Sequence, residues 1–373
     1  MNELFIRTHD GIYRCGETVY GVIYLKIATP TSAYGVRLHF LGIEKYDVFL
    51  SIPDVDKYAN VHKKKWIDCD NIHVYRSEDG NPMAIDCYMF PFQMNLPQNL
   101  PGSCWFESNN GLDKAHVKYQ VESEVLGCKH FKANQVFHIK HSPLEKPSND
   151  TSGSASLKFT GGNFLRRISI SVTARLNKPE YSTNETIGLI LKFADLVKSK
   201  KKVESISVRV MQYLEVTLKW ERLSSVVYSH SSFREDTDTT SEEGRPNSHH
   251  LLNGKCVLSR ELTITDNEIL ESEFTFFVPL SQAQEIVIPS TQGQHIRSWH
   301  CLEVQISIAG MGKNSLTLPI RCLYPKDNEE WSSWQPPEWT YRSKLIKTPH
   351  VCSVPESVLA SEAFAGFPGF QAF

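Results

Sequence analysis

Apolar and polar side chains alternate with a period of two along most of this chain, the signature of strands with one packed face and one wet face. From Val19 to Ile27 the odd positions are apolar, apart from Gly21. Val36 to Phe40 continues the pattern, and from His116 to Val125 every even position is polar while four of the five odd ones are apolar. One wet face is typical of antiparallel sheets. In the second half Ile168, Ile170, Val172 and Ala174 alternate with Arg167, Ser169, Ser171 and Thr173. Further alternating runs are Ile187–Phe193, Ile206–Val210, Val216–Trp220 and Leu302–Ile308. Turn formers lie between the runs, at 29–32, 79–82, 109–111 and 310–312. Long amphipathic helices are scarce, so the pattern predicts an all-β protein built of antiparallel β-sandwiches.

Two domains are expected. Residues 142–163 form a Pro/Gly/Ser-rich connector of low apolar content. The expected division is 1–141, linker 142–163, 164–325 and a flexible tail over 326–373. Residues 229–250 are polar and acidic and read as a disordered loop inserted in the second sandwich. Tyr13 to Gly21 has a counterpart in Tyr181 to Gly188. Each places a tight turn and a Glu before an alternating strand, as two copies of one sandwich would.

Composition narrows the function. The chain has 373 residues, 40% of them hydrophobic and 22% charged, which supports packed cores. Lys+Arg 40 against Asp+Glu 42 argues against a nucleic-acid partner held by bulk positive charge. No apolar run approaches the roughly 18–20 residues of a membrane-spanning helix. The charged first ten residues lack the apolar core of a signal peptide, so export is not expected, and the sequons at Asn149 and Asn184 read as coincidences. Nine cysteines without a CxxC read as reduced packing thiols in the cytosol.

Chemistry is hard to find. GxSxG, HExxH, the phosphate-binding loop and GxGxxG are all missing, so no catalytic, cofactor-binding or metal residues are assigned and no cofactor is expected. His249, His250, His295 and His300 read as exposed loop histidines. Two basic clusters, Lys63-Lys64-Lys65 and Lys198 with Lys200-Lys201-Lys202, are candidates for anionic lipid or phosphorylated tails. Solvated loops, or strand ends guarded against edge pairing, are the simpler explanation of both. The tail carries Trp331, Trp334, Pro336-Pro337-Glu338-Trp339, and Phe364, Phe367, Phe370 and Phe373. Spaced aromatics in an extended tail suit short docking peptides, or packing onto the chain's own sandwiches.

Several segments resemble a known family. Tyr13 to Gly21 with Gly35 to Gly42 resembles the opening of an arrestin N-terminal domain. Phe90-Pro91-Phe92, followed by Leu96-Pro97, Leu100-Pro101 and Ser103, is similar to the α-arrestins, the arrestin-domain-containing proteins. Pro179–Ile187, Ile288-Pro289-Ser290, Leu302–Val304 and Leu316–Ile320 resemble the C-terminal arrestin domain. The resemblance implies two immunoglobulin-like sandwiches in tandem, acting as a non-catalytic trafficking adaptor in the cytoplasm, peripheral to plasma membrane or endosomes. Expected partners are membrane-protein cargo tails, with WW-domain ubiquitin ligases or clathrin and endosomal coat adaptors. The ligase link uses PPxY motifs, and here the candidate reads Pro336-Pro337-Glu338-Trp339, with Tyr341 out of register. A retromer-like arrestin-fold coat subunit is the alternative, and an unrecognised β-sandwich enzyme the more distant one.

Overall fold

A computed structural model describes residues 1–52, 55–77, 79–140, 153–163, 166–218, 248–263, 273–325, 331 and 333–346. The first sandwich contains β1 (Glu3–Thr8), β2 (Ile12–Arg14), β3 (Thr18–Ile27), β4 (Gly35–Ile52), β5 (Val55–Arg76), β6 (Asp86–Asn95), β7 (Cys104–Glu107), β8 (Lys114–Leu126) and β9 (Lys132–Lys140). The second contains β10 (Ser154–Asn163), β11 (Arg166–Leu176), β12 (Glu180–Ser182), β13 (Thr186–Ala194), a one-turn helix α1 (Leu196–Ser199), β14 (Val203–Leu218), β15 (Ser248–Thr263), β16 (Glu273–Pro279), β17 (Thr291–Gln292), β18 (Ile296–Ile308) and β19 (Gly312–Leu323). A last strand, β20 (Lys344–Leu345), returns to the first sandwich.

The alternation expected from the sequence is the pleat of these strands. On β8, Ala115, Val117, Tyr119, Val121 and Val125 point inward and the even positions outward. The first sandwich faces the sheet β1-β3-β6 against β2-β9-β8-β4-β5, and the second faces β11-β13-β16 against β12-β19-β18-β14-β15. From β1 to β9, each strand has its counterpart ten strands later, including β7 on β8 and β17 on β18.

The two copies also match at their turns. The Glu17 carboxylate accepts the Arg14 N–H at 2.7 Å, and the Glu185 carboxylate accepts the Ser182 N–H at 2.8 Å. Each glutamate closes a tight turn that hands the chain from a two-strand parallel contact to a core strand. In the first copy Gly16 supplies the positive φ of +80° that this turn needs. The Pro-Gly-Ser and Pro-Ser segments correspond as well. The Ser103 hydroxyl accepts the Ile139 N–H at 2.9 Å, and the Ser290 hydroxyl accepts the Cys322 N–H at 3.0 Å.

Three expectations change. The connector placed over 142–163 contains β10, which pairs with β11 over ten residues and extends the second sandwich. Its Ser, Thr and Gly side chains are those of an edge strand with little to bury, which is why composition read as linker. The acidic loop lies mostly outside the described residues, but 248–250 already begin β15. Finally, the tail does not simply leave the sandwiches, because 333–346 packs against the first one. Strand β3 therefore buries Gly21, Val22, Ile23, Tyr24 and Leu25 in succession, on both faces. Ile23 and Leu25 face the core, while Val22 and Tyr24 lie with Met89 under Trp339 and Leu345.

Candidate interaction surface

The lysine cluster at 63–65 splits between two faces. Register places Trp105, His116, Lys45 and Lys63 in one row across β7, β8, β4 and β5. Residues directly opposite on neighbouring strands share a face, and this is the outer face of the sheet. The next row carries Lys118, Ile43 and Lys65. Lys65 is tied to Asp68 at 2.6 Å, whereas Lys45, Lys63 and Lys118 have no ion pair among the described residues. The acid nearest them along the same face of β4 is Asp47. Burial first, then the charges of Lys45 and Lys118, push His116 down to about 4. At neutral pH it is an uncharged ring, stacked on Trp105 at 5.1 Å and 22°. The result is a wet row of uncompensated lysines ending on an exposed indole. Sequence reading missed Lys45, Lys118 and Trp105 because they are far from Lys63 along the chain and meet it only through strand register.

Lys64 belongs to the opposite row, beside Glu44, and its ammonium lies 5.9 Å from the Trp66 ring. Lys198, Lys200, Lys201 and Lys202 sit around α1 and the start of β14, beside the Gly310–Gly312 turn. Lys198 is paired with Asp195 at 2.9 Å. Strand β14 is 16 residues long, about 50 Å, and its far end packs on the first sandwich. The two lysine clusters therefore do not form one surface.

That far end makes the joint between the sandwiches. Leu214, Val216 and Leu218 of β14, with Ile288 and Ile296, are continuous with the core of the first sandwich. The inner face of the long β4-β5 hairpin meets them, and in its middle sits Glu44, 1% exposed. Its Oε1 accepts the N–H groups of His295 and Ile296, both at 2.6 Å. Its Oε2 accepts the Gln294 N–H at 3.0 Å and the Trp66 indole N–H at 2.8 Å. A run of backbone N–H groups forms a concavity suited to an anion, and here one sandwich supplies the concavity and the other fills it. Gly293 makes room, since a Cβ there would collide with the Glu44 carboxylate. Nearby the Thr291 hydroxyl donates to Gly102 O at 2.7 Å, and His138 stacks on Tyr324 at 4.2 Å.

Of the four histidines expected in exposed loops, His249 and His250 lie on β15, exposed and half-exposed, whereas His295 and His300 are buried. His295 lies in the joint, its ring 4.1 Å from that of His62. His300 lies within the second sandwich, held between Ser290 and Gln212 at 3.1 Å each. Gln212 Oε1 also accepts the Ile288 N–H at 2.7 Å, so Nε2 of a neutral His300 donates to Gln212 and Nδ1 accepts from Ser290. Burial pushes His300 down to about 3. Among the described residues no group of His, Cys, Asp and Glu could hold a metal, and the eight described cysteines are free thiols.

The Pro336–Trp339 segment is engaged with the chain itself. Pro337 leads into a 3-10 turn over Glu338–Arg342, which sets Trp339 edge-on to Tyr24 at 6.5 Å and beside Phe5 at 6.0 Å. Its indole N–H donates to Glu3 at 3.0 Å. Upstream, the Arg7 guanidinium lies over Trp331 at 3.9 Å and Trp334 at 4.8 Å. Downstream, β20 pairs in parallel with β6. Phe364, Phe367, Phe370 and Phe373 lie outside the described residues.

Two family models match the chain: Arrestin (or S-antigen), N-terminal domain, over residues 3–141, and Arrestin (or S-antigen), C-terminal domain, over residues 167–323. The chain belongs to the arrestin family. A search of curated proteins returns no match. The arrestin domains coincide with the two sandwiches, and in general the family consists of non-enzymatic adaptors in membrane trafficking. No helix among the described residues of this arrestin is long and apolar enough to cross a membrane.

Proposed function

We propose that this arrestin is a non-catalytic adaptor of the α-arrestin type. It takes acidic or phosphorylated cytoplasmic tails of membrane-protein cargo and links them to ubiquitin-ligase or coat machinery at the plasma membrane or endosomes. The observation that carries this reading is the outer-face patch of Lys45 and Lys63 in one row and Lys118 in the next, exposed or half-exposed and without ion pairs among the described residues. Charged side chains normally interleave with opposite charges on a surface that binds nothing, and a patch of one sign on a rigid sheet presents its charge to a partner at fixed spacing. Exposed pairs contribute about 0.2–1 kcal/mol each, so three together supply about tenfold in affinity.

The Leu96 to Ser103 segment favours the α-arrestin type. A retromer-like coat subunit is the second reading, favoured by Trp339. A ligand for a WW domain offers its prolines and following aromatic ring to the partner, whereas here that ring is packed on Tyr24 and Phe5. Coat assembly does not require the motif to be free, and such a subunit co-purifies stoichiometrically with coat partners. The test of the shared core is binding of a fluorescein-labelled poly-glutamate peptide by anisotropy. Changing Lys45, Lys63 and Lys118 together to Gln should weaken binding about tenfold at low salt, with the difference shrinking as salt rises. Equal binding by the triple variant sinks the assignment of this face.

A further inference from the structure

The lysine row ends at Trp105, and Trp105 is also a wall of a cavity of about 890 Å³ at the joint between the sandwiches. Phe106 lines it from the first sandwich, Ile286 and Val287 from the loop before β17, and Tyr324 from the end of β19. The size falls within the range of built ligand sites, roughly 300–1,000 Å³. Two apolar groups on its wall are left wet, Ile286 at 85% and Trp105 at 54% exposure. Asn253 lines the cavity too; its side chain is nine-tenths buried and its amide nitrogen has no hydrogen-bond partner. The loop is held in place from behind, because Gln212 accepts the Ile288 N–H and is itself fixed by His300. The cavity is therefore preformed, with the apolar groups Trp105, Phe106, Ile286 and Val287 on one part of its wall, the paired charges Lys255–Glu285 and Lys114–Glu107 at its polar part, and one unused amide donor.

Charge and spacing indicate what fits. Lys63 and Trp105 are three strand steps apart, about 14 Å, which an extended chain covers in about four residues. We propose that the cavity is the second half of a bipartite peptide site. An extended partner peptide lays acidic residues on Lys63, Lys45 and Lys118 and, about four residues on, inserts one large apolar side chain between Trp105 and Ile286. A backbone carbonyl of the same peptide meets Asn253. The proposal rests on the lysine-row reading above and adds an apolar requirement to it. A partner that is merely acidic would bind weakly, and an anionic membrane would gain nothing from the cavity.

The test uses the full chain and two fluorescein-labelled peptides. One carries four glutamates, a three-residue Gly/Ser spacer and a phenylalanine; the other has alanine in place of the phenylalanine. Burying a phenylalanine side chain is worth about tenfold to a hundredfold in affinity, so the first peptide should bind the native chain at least tenfold more tightly. Ile286→Asp, a change at an exposed position, should reduce the first peptide to the level of the second and leave the second unaltered. Trp105→Ala should act in the same direction. Equal binding of both peptides to the native chain overturns the bipartite site. It leaves the lysine row standing if the triple Gln variant still weakens both. Binding by neither peptide overturns both readings, and a preference for phenylalanine that survives Ile286→Asp and Trp105→Ala overturns the placement in this cavity.

Discussion

Replacing Glu44 separates two explanations of the joint between the sandwiches: apolar contact alone, or apolar contact keyed by one carboxylate. All four groups around that carboxylate are donors: the backbone N–H of Gln294, His295 and Ile296, and the indole of Trp66. Glu44→Gln preserves shape and volume. Its carbonyl can still serve His295 and Ile296, but the amide nitrogen then faces Gln294 N–H and the Trp66 indole, donor against donor. Two charge-assisted bonds are lost and the two donors left behind are largely shielded from water. A hydrogen bond to a charged group is worth about 1.5–3 kcal/mol, and each stranded donor costs about 1–3 kcal/mol. The two accounts describe the same loss from two sides, so the expected destabilisation is about 3–5 kcal/mol. Glu44→Ala loses all four bonds, although water can enter the space, and should fall in the same range. Calorimetric melting should show both variants unfolding well below the native chain, with the single transition broadened or split as the sandwiches lose their coupling. Hydrogen exchange should show the amides of 294–296 losing protection while those of β8 and β18 keep theirs. Melting within about 1 °C of the native chain, with 294–296 still protected, would refute the argument and leave the joint to apolar packing.

Two further outcomes follow from the same structure. Trp339→Ala removes the indole from Tyr24 and Phe5 and the bond to Glu3. At about 2–3 kcal/mol for a partly buried Trp, it should release the 331–346 segment to limited trypsin cleavage at Arg342 and Lys344, and cleavage at the native rate would contradict the docking. His300 titrates at about 3 in the fold against an ordinary 6.5, so between those values the unfolded chain holds the proton and the folded one does not. The stability that neutral His300 contributes is complete above pH 6.5 and is lost as pH falls toward 3. The urea midpoint of the native chain should therefore drop more between pH 7 and pH 4.5 than that of His300→Gln, and parallel slopes would count against it.

Much of this architecture is local and was open to reading from residue order. Period-2 alternation marks β3, β8, β11, β14 and β18 because a strand with one wet face leaves its burial pattern in every second residue. The Glu17 and Glu185 turns are local hydrogen bonds over three residues, so the repeat appears in the sequence as directly as in the fold. The sequence also contained one unread sign of the joint. Glu44 falls at an inward parity, in step with Val36, Leu38, Phe40, Tyr46 and Val48, and a carboxylate on a packed face must have donors waiting for it. Which donors they are lies some 250 positions away and is decided only when β14 carries the second sandwich onto the first. Register does the same for Lys45, Lys63, Lys118 and Trp105, which no spacing rule connects. The tail is the clearest case. Trp339 looks like an exposed docking residue because nothing adjacent in sequence buries it, and only the three-dimensional fold brings Glu3, Phe5 and Tyr24 to it. Local patterns determine strands and turns because their energetics lie within a few residues. The faces that meet a partner are set by which strands end up side by side.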